Sequence, residues 1–201
     1  MVIERVRQMS VEEFLDFAER SEYRYEYIDG EPIKMTGGKL NHFDIISNIL
    51  FELRLLLAET DCRTLPNGML VRVGDASLVS PDVIVACGEP ETEADTRILL
   101  NPILVVEIIS PSSVDHDRVV KRDFYQTVDS IQAYLIVEQD RPLVELYTRS
   151  ETGWRLQAFS KLDDEAPLDA LGCRLPLRDI YRNVEFESGD TSSANEGEGS
   201  V

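Results

Sequence analysis

The sequence has few basic residues for its length. Its 201 residues include 20 lysines and arginines against 38 aspartates and glutamates, which gives a formal net charge of −18. Proteins that bind nucleic acid usually carry a basic surface, so this composition opposes a general attraction to DNA or RNA. Any contact with a phosphate backbone requires a local cluster of lysines and arginines.

Long apolar runs are also missing. No run approaches the roughly 20 residues that cross a bilayer. The N-terminal segment, Met1 to Arg5, lacks the basic stretch and apolar core of a secretion signal. We therefore expect a cytoplasmic protein that does not associate with membranes.

Cysteine is scarce as well. The three cysteines, Cys62, Cys87 and Cys173, lie far apart and form no CxxC pair. Such spacing indicates neither a zinc site nor a disulfide framework. We expect three reduced thiols packed in apolar surroundings.

Hydrophobic residues make up 43% of the chain, which is enough for one compact domain of this length. The segment after Phe186 differs, because it has no large apolar residue before Val201 and is rich in Ser, Gly and acidic residues. The composition therefore predicts a single domain over residues 1–186 and a disordered acidic tail over 187–201.

Hydrophobic periodicity predicts a mixture of helices and strands. A capping box at Ser10 and Glu13 opens a predicted helix at 11–20. Further helices are predicted at about 41–59, 114–127 and 177–181, and a hairpin at 23–35. Strands are predicted at 63–73, 78–86, 103–109, 133–138, 143–148 and 154–159. This order indicates an α/β fold with a central mixed sheet flanked by helices.

Glu107 is the clearest anomaly, since it interrupts the aliphatic run Ile103-Leu104-Val105-Val106-Glu107-Ile108-Ile109. An ionised carboxylate in such a strand is costly unless it is paired or bound to a cation. The structural interpretation is an ion pair with a basic side chain such as Lys121 or Arg122.

Asp82 favours a second interpretation. It follows Pro81 at the start of another strand of buried type, so its carboxylate can meet that of Glu107 at one sheet edge. Two converging carboxylates are what a hard divalent cation requires. The residues leave open a metal site and a structural Glu107–Lys121 pair.

The PD-(D/E)XK signature of restriction-endonuclease-like proteins resembles two stretches of this chain, Ser80-Pro81-Asp82-Val83 and Val105-Val106-Glu107-Ile108-Ile109-Ser110-Pro111-Ser112. The signature has a lysine where this chain has Ile109, and Lys121 on the next predicted helix can return its ammonium group to the same site. The wider pattern is similar to the Uma-type restriction endonucleases, formerly a domain of unknown function. That similarity covers about residues 10–180 and rests further on Tyr25-Glu26-Tyr27-Ile28-Asp29-Gly30-Glu31, His42, and Lys121 with Tyr125.

The resemblance implies a restriction-endonuclease-like fold with a Mg²⁺ site, in which Mn²⁺ can substitute, and no organic cofactor. The implied ligands are Asp82, Glu107, the backbone carbonyl of Ile108, and Glu26. Lys121 would orient the attacking water or balance negative charge on the phosphate. His42 is a candidate for proton transfer or phosphate contact, although a helix-opening histidine that only caps or packs is equally compatible.

Other polar residues carry weaker hypotheses. Glu52 is an alternative third acid, although an ion-paired helix position explains it better. His116 is typical of a solvated helix start. Arg118, Lys121 and Arg122 form a compact basic cluster that can contact a phosphate near Glu107.

Three functions remain open. The first is a Mg²⁺-dependent endonuclease acting on DNA, as a homodimer because cutting both strands of a duplex needs two sites. The second is a nuclease-like fold that serves as a binding or regulatory module, with its acidic surface directed to a protein partner. The third is a structural ion pair without a metal.

Overall fold

A computed structural model describes residues 8–35, 37–109 and 120–186. The predicted acidic tail, His116, Arg118 and the Ser110-Pro111-Ser112 part of the second motif lie outside these ranges. The helices within them are α1 (Val11–Arg20), α2 (Leu40–Leu56), α3 (Arg122–Thr127) and α4 (Leu177–Ile180), with a 3-10 helix at Asp169–Leu171. None of the described helices has the length and apolar character needed to cross a membrane.

The strands fall into two sheets and a separate hairpin. Those of the first half are β1 (Tyr25–Ile28), β2 (Glu31–Lys34), β3 (Cys62–Pro66), β4 (Leu70–Arg72), β5 (Leu78–Val79), β6 (Val83–Cys87), β7 (Thr92–Glu93) and β8 (Ile98–Leu99). Those of the second half are β9 (Leu104–Ile109), β10 (Ala133–Glu138), β11 (Val144–Ser150), β12 (Gly153–Phe159), β13 (Glu165–Leu168) and β14 (Cys173–Pro176).

Both large sheets are mixed. The central sheet has the order β12-β11-β10-β9-β6-β3, and the N-terminal sheet has the order β2-β1-β5-β4-β8-β7. In the central sheet β9 and β10 run parallel, whereas β6 and β9 are antiparallel. The predicted class, a mixed α/β fold with helices flanking a central mixed sheet, is confirmed, and a second sheet accompanies the central one.

Helix α1 forms where the sequence predicts it. The Ser10 hydroxyl accepts a hydrogen bond from the Glu13 amide, and the Glu13 carboxylate accepts one from the Ser10 amide. This reciprocal cap satisfies two amide donors that a helix start leaves unpaired. The helix then buries Phe14 and Leu15 in a cluster with Tyr27 of the N-terminal sheet.

The core consists of layers. One face of the central sheet packs against α2 and α4, in a cluster that includes Ile45, Ile49 and Leu53 of α2. The other face packs against the N-terminal sheet and α3. Alternate residues along β9 therefore belong to different clusters, Val106 on the α2 side and Val105 between the sheets.

Two predicted strands are each divided between the sheets. The prediction at 63–73 contains β3 of the central sheet and β4 of the N-terminal sheet, and the prediction at 78–86 contains β5 and β6. Gly68, at a φ of 113°, and Pro81, which has no amide hydrogen to donate, mark the two breaks. The chain thus crosses from β5 to β6 through Ser80-Pro81-Asp82, at the junction of the two sheets.

The expectation of three reduced cysteines is wrong. Cys62 and Cys87 form a disulfide, and Cys173 is free. The two bonded residues lie opposite each other in the antiparallel β3–β6 pair, with their Cα atoms 3.9 Å apart. Their separation of 25 residues hides this pairing, because the register between strands cannot be read from linear spacing. Partial burial raises the pKa of the Cys173 thiol.

Candidate active site

Glu107 lies between the two sheets. In β9 it shares a face with Val105 and Ile109, and it is opposite Ile136 of the parallel strand β10. The Glu107 side chain is buried. The aliphatic run thus forms a strand covered on both sides, as the sequence predicts, and brings one carboxyl group into an apolar layer.

Glu26 comes to the same place from the other sheet. It lies in β1, where Tyr27 packs with α1 and the preceding Glu26 is buried on the opposite face. One of its carboxylate oxygens, Oε1, accepts a hydrogen bond of 2.9 Å from the Ser80 amide. The crossover between the sheets therefore fixes the position of this acid.

Lys121 joins the two acids. It immediately precedes α3 and is buried, and its Nζ lies 3.0 Å from Glu26 Oε1 and 3.0 Å from Glu107 Oε1. One helical turn later, the Tyr125 hydroxyl donates a hydrogen bond of 2.6 Å to Glu107 Oε1. We call Glu26, Glu107, Lys121 and Tyr125 the buried acid–lysine cluster.

Asp82 lies at the start of β6, next to the end of β9. Its amide donates to the Val106 carbonyl at 3.1 Å, and its Oδ2 accepts from the Ile108 amide at 2.8 Å. Carbonyls alternate in direction along a strand, so the Ile108 carbonyl points to the same side of β9 as that of Val106, toward Asp82. The His42 Nε2, from the first turn of α2, lies 3.3 Å from Asp82 Oδ1.

The electrostatics of Glu107 follow from this packing. Burial raises its pKa to about 8, although the Lys121 ammonium lowers it. The negative charges of Asp82 and Glu26 raise it further, and the hydrogen bond from Tyr125 lowers it. Burial also raises the pKa of Tyr125 well above its usual value, and the Glu107 charge adds to that rise. Additional positive charge near Glu107 would stabilise its ionised form.

A hydrogen-bond network around Ser80 supports Glu26, and the sequence did not predict it. The Arg24 guanidinium donates to the Ser80 hydroxyl at 3.1 Å, and the Gly68 amide donates to the same oxygen at 3.3 Å. Ser80 in turn donates through its amide to Glu26. Its position in the Ser80-Pro81-Asp82 motif was the only signal in the sequence, and nothing there marks Arg24 as its partner.

The donors present suit a hard cation with few protein ligands. No group of three or more His, Cys, Asp or Glu side chains in the described ranges is arranged to hold a metal ion. Lys121 engages Glu26 Oε1 and Glu107 Oε1 alike, so Glu26, Asp82 and Glu107 all remain candidate carboxylates. Mg²⁺ commonly binds through one or two carboxylates and completes its octahedron with water and substrate phosphate. The oxygen donors of this site fit such an ion.

Other predicted residues lie elsewhere. Glu52 forms an ion pair with Arg182 at 3.0 Å, so the alternative of an ion-paired helix position describes it. Arg122 pairs with Asp123 at 2.9 Å, and Lys121 is held between two acids. The members of the predicted basic cluster that the structure describes are therefore directed to carboxylates of the chain itself, and do not form a basic surface.

Comparisons with known proteins support the resemblance drawn from the motifs. The chain is 30% identical over 180 residues to the uncharacterized protein slr1290 of Synechocystis sp., covering 89% of this chain and 94% of that protein. It is 28% identical over 151 residues to sll1609 of the same organism, covering 74% and 85%. Its fold is similar to the crystal structure of a putative nuclease belonging to DUF820 from Anabaena variabilis. That match has a TM-score of 0.69 and 20% identity, and covers 86% of this chain and 97% of that one.

A family model extends this similarity to nearly the whole sequence. The model of Uma2, described as a putative restriction endonuclease, matches residues 11–193. That range includes Glu26, His42, Asp82, Glu107 and Lys121. The chain therefore belongs to the Uma2 family.

Proposed function

We propose that this protein is a Mg²⁺-dependent endonuclease that hydrolyses phosphodiester bonds in DNA. Membership of the Uma2 family supports a nuclease. The observation that carries the finer proposal is the convergence of Asp82, Glu107 and Lys121 where the two sheets meet. A buried acid of raised pKa beside a second carboxylate is a common feature of catalytic sites.

The roles of the residues follow from their contacts. Asp82 and Glu107 would hold the ion, with the Ile108 carbonyl as a further oxygen donor. Mg²⁺ supplies positive charge at the scissile phosphate and makes a water molecule more acidic. The amide of Ile108 fixes the orientation of the Asp82 carboxylate through their 2.8 Å hydrogen bond.

Lys121 has two parts in this proposal. Before an ion binds, its ammonium lowers the pKa of Glu107 and so favours the ionised form that a cation needs. With an ion bound, the same ammonium would stabilise negative charge on the phosphate or orient the attacking water. Glu26 anchors the lysine from the other sheet and is a positioning residue.

His42 is the candidate for proton transfer. Its Nε2 is 3.3 Å from Asp82, so the imidazole lies at the edge of the proposed ion site. A neutral imidazole there can accept the proton of the attacking water, and an imidazolium can contact the phosphate.

A second candidate function is a binding or regulatory module with a protein partner. The net charge of −18 and the pairing of Arg122 with Asp123 favour it, because both weaken attraction to a phosphate backbone. In this case the carboxylates still bind a cation, but no phosphodiester is cleaved.

The test combines calorimetry and cleavage. Binding of Mg²⁺ and Mn²⁺ is measured for the wild type, Asp82→Ala and, as a matched control, Asp140→Ala, an exposed acid outside the site. Nicking of a supercoiled plasmid is followed in the same buffers. We expect binding and nicking in the wild type and the control, and neither in Asp82→Ala.

The other outcomes separate the alternatives. Binding without nicking, with DNA and RNA substrates alike, would replace the endonuclease by the binding module. No binding by the wild type would leave the buried acid–lysine cluster as a structural ion pair.

A further inference from the structure

Helix α2 presents apolar side chains to solvent along its length. Its inner face is buried, yet on the outer face Leu40 is 74% exposed, Phe43 49%, Phe51 53% and Leu55 57%. Ser47 is the exposed residue between the two phenylalanines. We call these five residues the α2 apolar stripe; the 16 residues from Leu40 to Leu55 cover about 22 Å along the helix axis.

Such a stripe is unusual for a helix on the surface of a single domain. A surface helix ordinarily turns polar residues to water, whereas one that is apolar on all sides is ordinarily covered. The stripe is continuous, and its only hydroxyl, that of Ser47, donates to the Phe43 carbonyl at 2.8 Å. Extended exposed apolar surface of this kind marks an interaction site.

We propose that the α2 apolar stripe is the interface through which two copies of this chain form a two-fold symmetric dimer, with the two α2 helices antiparallel. The proposal does not depend on the endonuclease activity. The sequence of the stripe is self-complementary, as a two-fold interface requires. Placing the axis at the level of Ile49 puts Phe43 level with Leu55 of the other copy and Ser47 level with its Phe51.

In this alignment the surfaces of the two α2 helices are also complementary in shape. At the level of Ser47 and Phe51 a small side chain faces a large one, so the two helices can approach closely on both sides of the axis. At the level of Phe43 and Leu55 an aromatic ring meets an aliphatic side chain. The C-terminal tail does not match the stripe in composition, because residues 187–201 include only Ala194 and Val201 as apolar residues.

Charge supports the same alignment. In the register that places Phe43 level with Leu55 of the other copy, Asp44 is level with Arg54 of the other copy. Symmetry gives two such pairs in the dimer. Within the described ranges neither Asp44 nor Arg54 forms an ion pair, so both are available to a partner. Lys39 and Glu59, just beyond the two helix ends, come level in the same way. Antiparallel helices also bring opposite ends of their dipoles together.

The stripe would form the centre of the interface. A stable interface of standard size buries about 800 Å² on each partner, so neighbouring residues must contribute. Leu56, 39% exposed beside the stripe, is one of them. In this register the His42 residues of the two copies lie about 21 Å apart along the helix axes, at opposite ends of the interface.

Sedimentation velocity of the full chain tests the proposal. We expect the wild type to sediment with twice the 22.8 kDa of one chain at roughly 0.1 mM, where a dissociation constant of about 10 μM leaves most chains paired. Phe51→Glu should remove the dimer. Leu156→Glu, a change at a 50% exposed residue of β12, is the matched control and should leave it intact. Circular dichroism verifies that each variant is folded.

Charge reversal tests the register. Asp44→Arg and Arg54→Asp should each weaken dimerisation by about tenfold or more, because each places like charges at one level. The double variant Asp44→Arg/Arg54→Asp should recover most of the wild-type affinity. A monomeric wild type, or a dimer that Phe51→Glu leaves unchanged, would overturn the proposed interface. Failure of the double variant to recover would overturn the antiparallel register.

Discussion

The buried acid–lysine cluster and the α2 apolar stripe are opposite departures from ordinary protein architecture. The first places four ionisable side chains in an apolar layer, and the second places four large apolar side chains in water. Each arrangement costs the isolated monomer free energy, since charges lose hydration on burial and exposed apolar surface gains nothing from folding. The two regions differ in what compensates them: the Lys121 ammonium lies 3.0 Å from both acids of the cluster, whereas the dimer proposed above would cover the stripe.

The two regions also depend on different parts of the sequence. The cluster is assembled from β1, β9 and the start of α3, so its contacts connect residues far apart in the chain. The stripe lies within one helix, and its spacing is local. Substitutions should therefore destabilise the fold when they touch the cluster and change the association of the chain when they touch the stripe.

The largest expected effect is that of removing the lysine. Lys121→Met removes the cation shared by the buried Glu26 and Glu107. Breaking a buried pair in this way costs about 3–5 kcal/mol at a pH above the Glu107 pKa of about 8, where that acid is ionised. Urea unfolding in EDTA measures the loss, with Lys161→Met at an exposed position as the control. Adding Glu107→Gln to Lys121→Met should recover part of the stability. If Lys121→Met lost no more unfolding free energy than Lys161→Met, the buried acid–lysine cluster would not differ energetically from an ordinary surface position.

The next effect concerns pH. The pKa of Glu107 in the folded protein is raised to about 8 from an ordinary 4.5, so the folded state binds this proton more tightly than the unfolded state. The stabilisation is complete below about 4.5 and is lost as the pH rises through about 8, with a slope of up to about 1.4 kcal/mol per pH unit.

Urea unfolding between these pH values, in EDTA, should therefore show a decline in the wild type relative to Glu107→Gln. The control Glu151→Gln, at an exposed turn, should follow the wild type. Identical profiles for the wild type and Glu107→Gln would mean that Lys121 holds the acid fully ionised across the range.

A smaller effect is expected at Tyr125. Tyr125→Phe removes the hydroxyl that donates to Glu107 Oε1, and a hydrogen bond to a charged group contributes about 1.5–3 kcal/mol. Because this bond lowers the pKa of Glu107, its loss should shift the pH decline to higher values. Unfolding at several pH values measures both changes. Tyr23→Phe, at an exposed ring, is the control and should leave both unchanged.

The smallest effect is expected at the C-terminus. Deleting everything after Glu187 removes a segment without large apolar residues before Val201, so the melting temperature should stay within about 1 °C of the wild type. Differential scanning calorimetry measures it. A large drop would show that the tail contributes to the folded domain.

Local signals in the sequence were sufficient for part of this structure. The capping box gave α1 with its observed bounds, and the acid within an aliphatic run gave Glu107 its buried position on β9. Lys121, one of the two ion-pair partners considered for Glu107, lies 3.0 Å from it. The capping box and the acid in the aliphatic run were enough, because the residues that determine each feature lie within a few positions of it.

Non-local features escaped prediction. The division of 63–73 and 78–86 between two sheets depends on which partner each half finds, and the pairing of Cys62 with Cys87 depends on the β3–β6 register. The motif named Tyr125 only beside Lys121, whereas its hydroxyl donates to Glu107 and its ring lies 4.9 Å from that of Tyr134. The direction of the hydroxyl depends on residues far away in the sequence.

The Cys62–Cys87 bond has a further consequence for the Ser80-Pro81-Asp82 crossover. The bond makes the chain between these cysteines a covalent ring, and the crossover lies inside it. In chain-entropy terms a bond across a separation of 25 residues contributes about 3.5 kcal/mol by restricting the unfolded chain. The same bond fastens β3, the outermost strand of the central sheet, to its neighbour, which hinders strand exchange with another molecule at that edge. One covalent link thus encloses Asp82, one of the residues proposed to hold the metal ion, and stabilises the edge strand β3 of the central sheet.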